Sequence, residues 1–492
     1  MKKTDAIAIV GYGIEGRAMC EYLLQHGFMN VTVCDKSEAL RDMTDGVAVR
    51  LGENYLSDLS DFDVVFRSPG ISFFRREIQE LVGHDAGSRT VVSSMTKYFF
   101  EHCRAPIIGV TGTKGKGTTA TLITEILRRA GKKVFLGGNI GVPAVSFLDD
   151  VSEDSFVVLE LSSFQLVDLE ISPHIAVVLN VTSDHLDYHS SIEEYHESKY
   201  PIMSHQTAAN FAVLNQDYPY AAEFGALGDG GKVWVSCRGN GNGSGYAPPL
   251  HYGVGAWIEG EFVKCTDGER GVIDMLNVAD IGLLGRHNLE NVFPAVAVAR
   301  LLDIPAEVIA RAVKEFRGLP HRLELVSGSS DVTDAPVAFY NDSFSTTPES
   351  CLAACNAFND LGKPFFLIAG GSEKGSDFET LGWKLSQMKF LRGVFLMGPS
   401  GARIGEALAR GHATCVEDGT VCRVAVPYEI VGGLREAVTK AAGEANELVA
   451  ASSGGACVVV LMSPAAASFN EFKNYKERGE YFKMLARELM GQ

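Results

Sequence analysis

The chain lacks a Cys-x-x-Cys pair, a run of 18 apolar residues and any surplus of positive charge, and each absence excludes a class of protein. Its 10 cysteines (Cys20, Cys34, Cys103, Cys237, Cys265, Cys351, Cys355, Cys415, Cys422 and Cys457) are too sparse in 492 residues to form a disulfide framework. Most lie in apolar surroundings such as VTVCDK and GGACVVV, where cysteine behaves as a small hydrophobe, so a reducing compartment is expected. Without a long apolar run, no segment is expected to span a membrane. Met1-Lys2-Lys3 begins like a secretory leader, but Asp5 interrupts it, and the apolar run at 6–10 stops at Gly11, too short for a leader core. The expected location is the cytoplasm. With 61 Asp and Glu against 44 Lys and Arg, the formal charge is −17, which gives no general reason to bind a polyanion. Nucleic acid is not an expected partner. An anionic ligand would have to be held by backbone N–H groups, metal ions or a few placed cations.

The chain is 46% hydrophobic and 21% charged, so it can build ordinary globular cores, and at about 100–200 residues per domain it should hold two to four. Short β-like runs alternate with helical patterns throughout, which predicts an α/β fold with mainly parallel sheets. Strands are expected at 6–10, 31–34 and 63–66, then at 107–110, 156–161 and 175–179, then at 337–340, 365–369, 393–397 and 457–462. Helical periodicity covers 17–26, 285–302 and 470–489. It fails between about 225 and 280, where 232–235 and 262–265 read as small antiparallel strands and 239–249 (GNGNGSGYAPP) as a turn-rich insert. Three domains, 1–104, 105–317 and 318–492, describe this pattern best.

Three segments carry chemistry. Gly109-Val-Thr-Gly-Thr-Lys-Gly-Lys-Gly-Thr-Thr119 lies between an apolar strand and a helix. Its glycines let successive N–H groups converge on one anion, and Lys116 stands where a phosphate-loop lysine reaches the β- and γ-phosphates. The strict G-x-x-x-x-G-K-[ST] pattern fails twice, because Val110 takes the first glycine position and Gly117 the hydroxyl position; Thr118 and Thr119 are the nearest substitutes. A glycine-rich turn with chance lysines is the plainer alternative. Next, Val157-Val-Leu-Glu160 ends an apolar strand on an acid, which is costly to bury unless paired or bound to a cation such as Mg²⁺. Finally, Leu179-Asn-Val-Thr-Ser-Asp-His-Leu-Asp-Tyr-His189 sets two aspartates and two histidines, His185 and His189, after a strand end, with Lys199 downstream. Near the N-terminus, Gly11-Tyr-Gly-Ile-Glu-Gly16 with Asp35 about 20 residues on suggests, by itself, a dinucleotide site.

These motifs, with Glu160-Leu-Ser-Ser-Phe-Gln165, Gly285-Arg-His-Asn-x-x-Asn291 and Gly318-Leu-Pro-His-Arg322, occur in the order seen in the Mur ligase family, which the chain resembles over nearly its whole length apart from the insert. Ser463-Pro-Ala-Ala-Ala-Ser468, Phe472-Lys-Asn-Tyr475 and Arg478-Gly479 look like the D-glutamate-adding branch. The resemblance implies a Rossmann-like UDP-sugar-binding domain, a central P-loop ATPase domain and a Rossmann-like C-terminal domain that takes the amino acid. The implied reaction joins D-glutamate to UDP-MurNAc-L-Ala through an acyl phosphate in peptidoglycan precursor synthesis. ATP and two Mg²⁺ ions are implied, with a CO2-derived carbamate on Lys199, and the enzyme is expected to be a monomer.

By the same resemblance, Gly112, Thr113, Lys114, Gly115, Lys116, Gly117, Thr118 and Thr119 cradle ATP, while Asn291, Arg322 and Asp342 meet its adenine, phosphate and ribose. Thr118, Glu160, His185 and Lys199 serve the metal ions, and Lys116 with the last three forms the catalytic set. Gly13, Ile14, Glu15, Asp35, Lys36, Ser68 and Gly70 face the UDP group, and Asn139, Ser163 and Gln165 the muramoyl arm. Thr346, Lys374, Ser468 and Tyr475 clamp the incoming amino acid. Some residues depart from the family pattern: Gly117 removes a hydroxyl, Lys114 adds a cation where Asn is usual, Phe344 replaces a frequent Lys, and Ala466 a frequent Cys. Two rivals stay open at this point: a Mur or folylpolyglutamate-type ligase for another amino acid, and a nicotinamide-dependent oxidoreductase.

Overall fold

The computed structural model describes residues 1–42, 47–82, 90–182, 189, 191–237, 254–267, 271–285, 288–326, 336–373, 375–417, 425–452 and 457–491. The Gly-rich insert at 239–249, His185 and Lys374 therefore lie outside the described residues.

Among these residues the strands make three sheets. The first holds β1 (Ile7–Val10), β2 (Val31–Asp35), β3 (Ala48–Leu51), β4 (Val64–Arg67) and β5 (Val91–Ser94) in the order β3-β2-β1-β4-β5, all parallel. β1 and β4 are buried at every residue, which is why both read as continuous apolar runs rather than alternating ones. The strand order reverses between β1 and β4, so a crevice opens past their carboxyl ends.

The second sheet is built from β6 (Ile107–Thr111), β7 (Val134–Gly138), β8 (Phe156–Glu160), β9 (Ile175–Val178), β10 (Phe211–Asn215), β11 (Gly231–Ser236), β12 (Val254–Glu259), β13 (Phe262–Asp267) and β14 (Val272–Asn277). Its order is β14-β13-β12-β11-β10-β9-β6-β8-β7. Residues 232–235 fall in β11, which runs parallel to both β10 and β12, so the expected antiparallel strand there is corrected. β11 extends the buried parallel sheet outward, alternating buried and half-buried residues. The antiparallel meander begins only at β12–β13, where 262–265 lies as expected.

The third sheet contains β15 (Glu324–Leu325), β16 (Val337–Asn341), β17 (Phe365–Gly370), β18 (Leu391–Met397), β19 (Tyr428–Ile430) and β20 (Val458–Met462), in the order β15-β16-β20-β17-β18-β19. Only β15 is antiparallel to its neighbour. The closing helix is Tyr475–Met490, five residues later than the periodicity suggests. Asn474 sets the start, because its side chain accepts from the Glu477 N–H and caps the first turn.

Residues 1–281 and 289–315 form one compact unit, which contains the first two sheets; residues 282–288 and 316–492 form another around the third sheet. Among the described residues no helix is long and apolar enough to cross a membrane.

Candidate functional site

β6 lies between β8 and β9, with Val110 beside Glu160 and Thr111 beside Val178. The turn after β6, the acid ending β8 and the segment after β9 therefore meet beyond the carboxyl ends of three adjacent strands, where parallel sheets gather ligands. In the turn, Gly112 and Gly115 have φ of +147° and +87°, a backbone that L side chains rarely adopt. A Cβ on Gly112 would come within 2.8 Å of Leu179 Cβ, and one on Gly115 would collide with Asn291 Oδ1. Thr113 fixes the turn to the neighbouring segment: its N–H donates to the Asn180 carbonyl (2.6 Å), and its hydroxyl donates to the Thr182 carbonyl (3.1 Å). The Lys116 ammonium bends back onto the carbonyls of Gly112 (3.0 Å) and Thr113 (3.1 Å). Gly115 gives the helix Lys116–Arg129 no side-chain cap, so its first N–H groups remain suited to an anion.

The two threonines that replace the missing hydroxyl behave differently. Thr119 donates to the Asn291 carbonyl (3.1 Å) and so ties the turn to the helix Leu289–Leu301. Among the described residues, the Thr118 hydroxyl has no hydrogen-bond partner. Glu160 is buried, and its Oε1 accepts from Asn139 Nδ2 (3.1 Å). Asn180 Oδ1 is buried without a partner. A hydroxyl, a carboxylate and an unsatisfied amide oxygen are hard-oxygen donors of the kind Mg²⁺ takes. Lys199 is only 1% exposed, with Nζ 4.4 Å from the centroid of the Tyr195 ring. Among the described residues no group of three or more His, Cys, Asp and Glu side chains converges, so a cation here would need mixed ligands.

At the crevice of the first sheet, the Ser68 hydroxyl donates to the Gly11 carbonyl (2.5 Å), joining the two turns that flank it. A Cβ at Gly13 or Gly70 would meet nothing within 4 Å, which leaves room for a ligand. Ile14 is exposed, and Lys36 pairs on the surface with Glu53 (3.2 Å). Both Asp35 carboxylate oxygens accept backbone N–H groups, from Tyr12 (2.7 Å) and Ser37 (2.8 Å). That acid therefore braces its own turn. Glu15 accepts from Gln165 Nε2 (2.6 Å); burial pushes its carboxyl up to about 7, and the Gln165 bond pulls the other way. Gln165 in turn closes a capping box with Ser162.

Arg67 is a residue the sequence reading missed. Fully buried, its guanidinium pairs with Asp168 (3.0 Å) and donates to the carbonyls of Ile71 (2.8 Å) and Phe164 (2.9 Å), joining the turn after β4 to the short helix Ser163–Leu166. The signal was present as a charge ending the apolar run Val64–Arg67.

In the second unit, Asp342 ends up beside β20. It accepts from the Ser463 hydroxyl (2.7 Å) and the Leu323 N–H (3.2 Å), and burial pushes its carboxyl up to about 7. Ser468 is buried, whereas Thr346 and Tyr475 are half-buried. The Phe344 ring lies 3.9 Å from the Arg322 guanidinium carbon and meets Tyr475 edge-on at 5.0 Å. Arg478, which the sequence reading named in a motif but gave no role, joins two loops to its own helix: it donates to the Ser343 hydroxyl and carbonyl and to the Ala466 carbonyl, each at 3.0 Å. Burial lowers its pKa to about 10.

Comparison with known proteins assigns the lineage of this arrangement. The Mur ligase middle domain matches residues 110–299, and the MurD-like N-terminal domain of Mur ligases matches residues 5–89. A UDP-N-acetylmuramoylalanine–D-glutamate ligase of Symbiobacterium thermophilum is 37% identical over 496 residues, covering 99% of both chains. The chain belongs to the Mur ligase family. Another ligase of the same name, from Acetivibrio thermocellus, is 34% identical and covers 98% of this chain and 96% of its own. Among solved structures, the UDP-N-acetylmuramate-alanine ligase MurC of Thermotoga maritima superposes with a TM-score of 0.55 at 17% identity, covering 99% of this chain and 100% of that one. MurF of the same organism, solved in complex with ADP, has a TM-score of 0.54 at 16% identity over 98% and 95%. Identities this low establish the Mur ligase fold alone. Within this Mur ligase, the middle-domain match spans the phosphate turn, Glu160, Lys199 and Asn291, and the N-terminal match spans the crevice between β1 and β4.

Proposed function

We propose that the chain is an ATP-dependent ligase that joins D-glutamate to UDP-N-acetylmuramoyl-L-alanine, releasing ADP and phosphate. The observation that carries this reading is the alignment of β8, β6 and β9, whose ends bring Glu160, the glycine turn with Lys116 and the Asn180 segment together. Relatives of that name match the chain over almost all of its length. Residues 1–104 bind the UDP-sugar, 105–317 bind ATP, and 318–492 supply the amino-acid clamp. The protein works in the cytoplasm as a monomer.

A carboxylate is a poor acyl donor, and phosphorylation of the L-alanine carboxylate turns it into an acyl phosphate that an amine can attack. Bringing that carboxylate to the γ-phosphate opposes two negative charges, which at 4 Å costs about 4 kcal/mol per pair of unit charges at an effective dielectric near 20. Lys116 offsets part of this by exchanging the Gly112 and Thr113 carbonyls for phosphate oxygens, while the N–H groups that open Lys116–Arg129 take the rest of the phosphate charge. Thr118, Glu160, His185 and a carbamate on Lys199 would hold two Mg²⁺ ions, which supply charge neutralisation at the phosphates. The burial of Lys199, 1% exposed beside the Tyr195 ring, supports the carbamate: adding CO2 to its amine with loss of two protons overall from the ammonium makes it an anionic oxygen ligand.

Asn291 and Thr119 wall the nucleotide turn, and Asn139 reaches the muramoyl carboxylate beside Glu160. Thr346, Lys374, Ser468 and Tyr475 hold D-glutamate through its carboxylates. Phe344 stands where the family frequently has Lys, and its ring lies 3.9 Å from the Arg322 guanidinium carbon, so a cation remains close to that position. The deciding experiment is phosphate release with a panel of amino acids in the presence of ATP, Mg²⁺ and UDP-N-acetylmuramoyl-L-alanine. D-Glutamate should be the strong substrate. Turnover with meso-diaminopimelate or L-alanine and none with D-glutamate would overturn the assignment.

A further inference from the structure

We infer that His189 is a positioning residue: held by Glu194, it turns the Ser163 hydroxyl into an acceptor for a hydrogen-bond donor, N–H or O–H, on the muramoyl substrate. The inference rests on the proposal that Ser163 lines the muramoyl arm. His189 is buried, with Nδ1 3.2 Å from Glu194 Oε1 and Nε2 3.0 Å from Ser163 Oγ. A carboxylate only accepts, so Nδ1 carries a proton, and in the neutral imidazole Nε2 is left with its lone pair. The Ser163 hydroxyl must then donate to Nε2. Ser163 is also buried, and among the described residues its hydroxyl has no other hydrogen-bond partner. Its proton is thus committed inward, and its remaining lone pair can only accept.

The ring cannot turn away easily. Phe164 stacks on it at 5.6 Å and 25°, and Tyr195 meets it edge-on at 5.3 Å. Phe164 is itself fixed by Arg67 through its carbonyl (2.9 Å), and Glu194 lies in a helical turn capped by Ser191 (3.1 Å). An orienting acid, an imidazole and a serine are thus joined in series from two segments 26 residues apart. The arrangement sets the direction of one hydrogen bond and involves no bond breaking. A phosphate or carboxylate oxygen, which has no proton to offer, would be disfavoured at Ser163.

Steady-state KM values for the muramoyl nucleotide, ATP and D-glutamate test this in S163A, H189F, H189Q and the S163A/H189F double variant. Phenylalanine keeps the stack and removes the acceptor; glutamine restores an acceptor oxygen. S163A and H189F should each raise the muramoyl KM about tenfold, the scale of one lost hydrogen bond, with the ATP KM within about twofold. The double variant should be no worse than either single one, and H189Q should recover most of the loss. Additive effects in the double variant, equal changes in all three KM values, or a silent H189F beside an impaired S163A would overturn the role of His189 alone. A silent S163A would overturn the placement of Ser163 at the substrate and this inference with it.

Discussion

Replacing Arg67 with alanine removes a cation that is 0% exposed and serves Asp168 and the carbonyls of Ile71 and Phe164. Among the described residues, Asp168, whose side chain is 8% exposed, then keeps only a long bond from the Ser94 hydroxyl (3.4 Å). Removing one partner of a buried pair leaves an uncompensated charge and costs about 3–5 kcal/mol. At roughly 2–4 °C per kcal/mol, the Tm of the first unit should fall by roughly 6–20 °C. Replacing both charges with apolar residues of similar size, R67M with D168L, should restore most of that loss, because no charge is then stranded. Thermal unfolding followed by circular dichroism, at low salt and at about three times physiological ionic strength, separates this from a surface pair, which salt would weaken. A loss below about 1 kcal/mol in R67A, or a double variant as unstable as R67A, would refute the reasoning. R67A should also raise the KM for the UDP-sugar, because the turn at Ser68–Ile71 and the Ser163 helix lose their shared donor.

Gly115→Ala forces a left-handed backbone on an L side chain, at about 1–2 kcal/mol, and drives Cβ into Asn291; calorimetry should show a lower Tm and kinetics a higher ATP KM, and no change in either would contradict the geometry. Glu15 has a folded-state pKa of about 7 against an ordinary 4.5, so the native state binds the proton more tightly and stability falls as pH rises between those values. The penalty is fully present above about pH 7, and Glu15→Gln should flatten this slope and stabilise the protein at pH 8 relative to pH 5; an unchanged difference between the two proteins in urea unfolding would exclude it. Lys199→Ala should abolish most phosphate release, with partial rescue by bicarbonate or a short carboxylate, and full activity without additive would dispose of the carbamate.

The parallel α/β architecture was legible because buried strands such as Ile7–Val10 and Val458–Met462 are unbroken apolar runs. β3 and β5, which are partly exposed, carry no such run and were not anticipated. The direction of β11 was hidden because a strand's own sequence does not state which neighbour it pairs with. The phosphate turn was legible from its glycines, but the reason Gly115 must be glycine was not: Asn291 lies far along the chain. Arg67 was missed, and Arg478 was named only within a motif and without a role, for a similar cause. Each is identifiable as an unusual charge in a local window, yet one of its partners, Phe164 for Arg67 and Ser343 for Arg478, comes from a loop about 100 residues or more away.

The Thr119–Asn291 bond, spanning 172 residues, has a consequence for the newly made protein. At about 5–20 residues per second, the ribosome needs roughly 10–30 s to travel from one to the other. During that interval the nascent chain carries every glycine of the turn without the side that closes it. Competence for nucleotide therefore arrives late in translation, and chains cut short before the helix Leu289–Leu301 should emerge unable to retain ATP even where their strands have already paired.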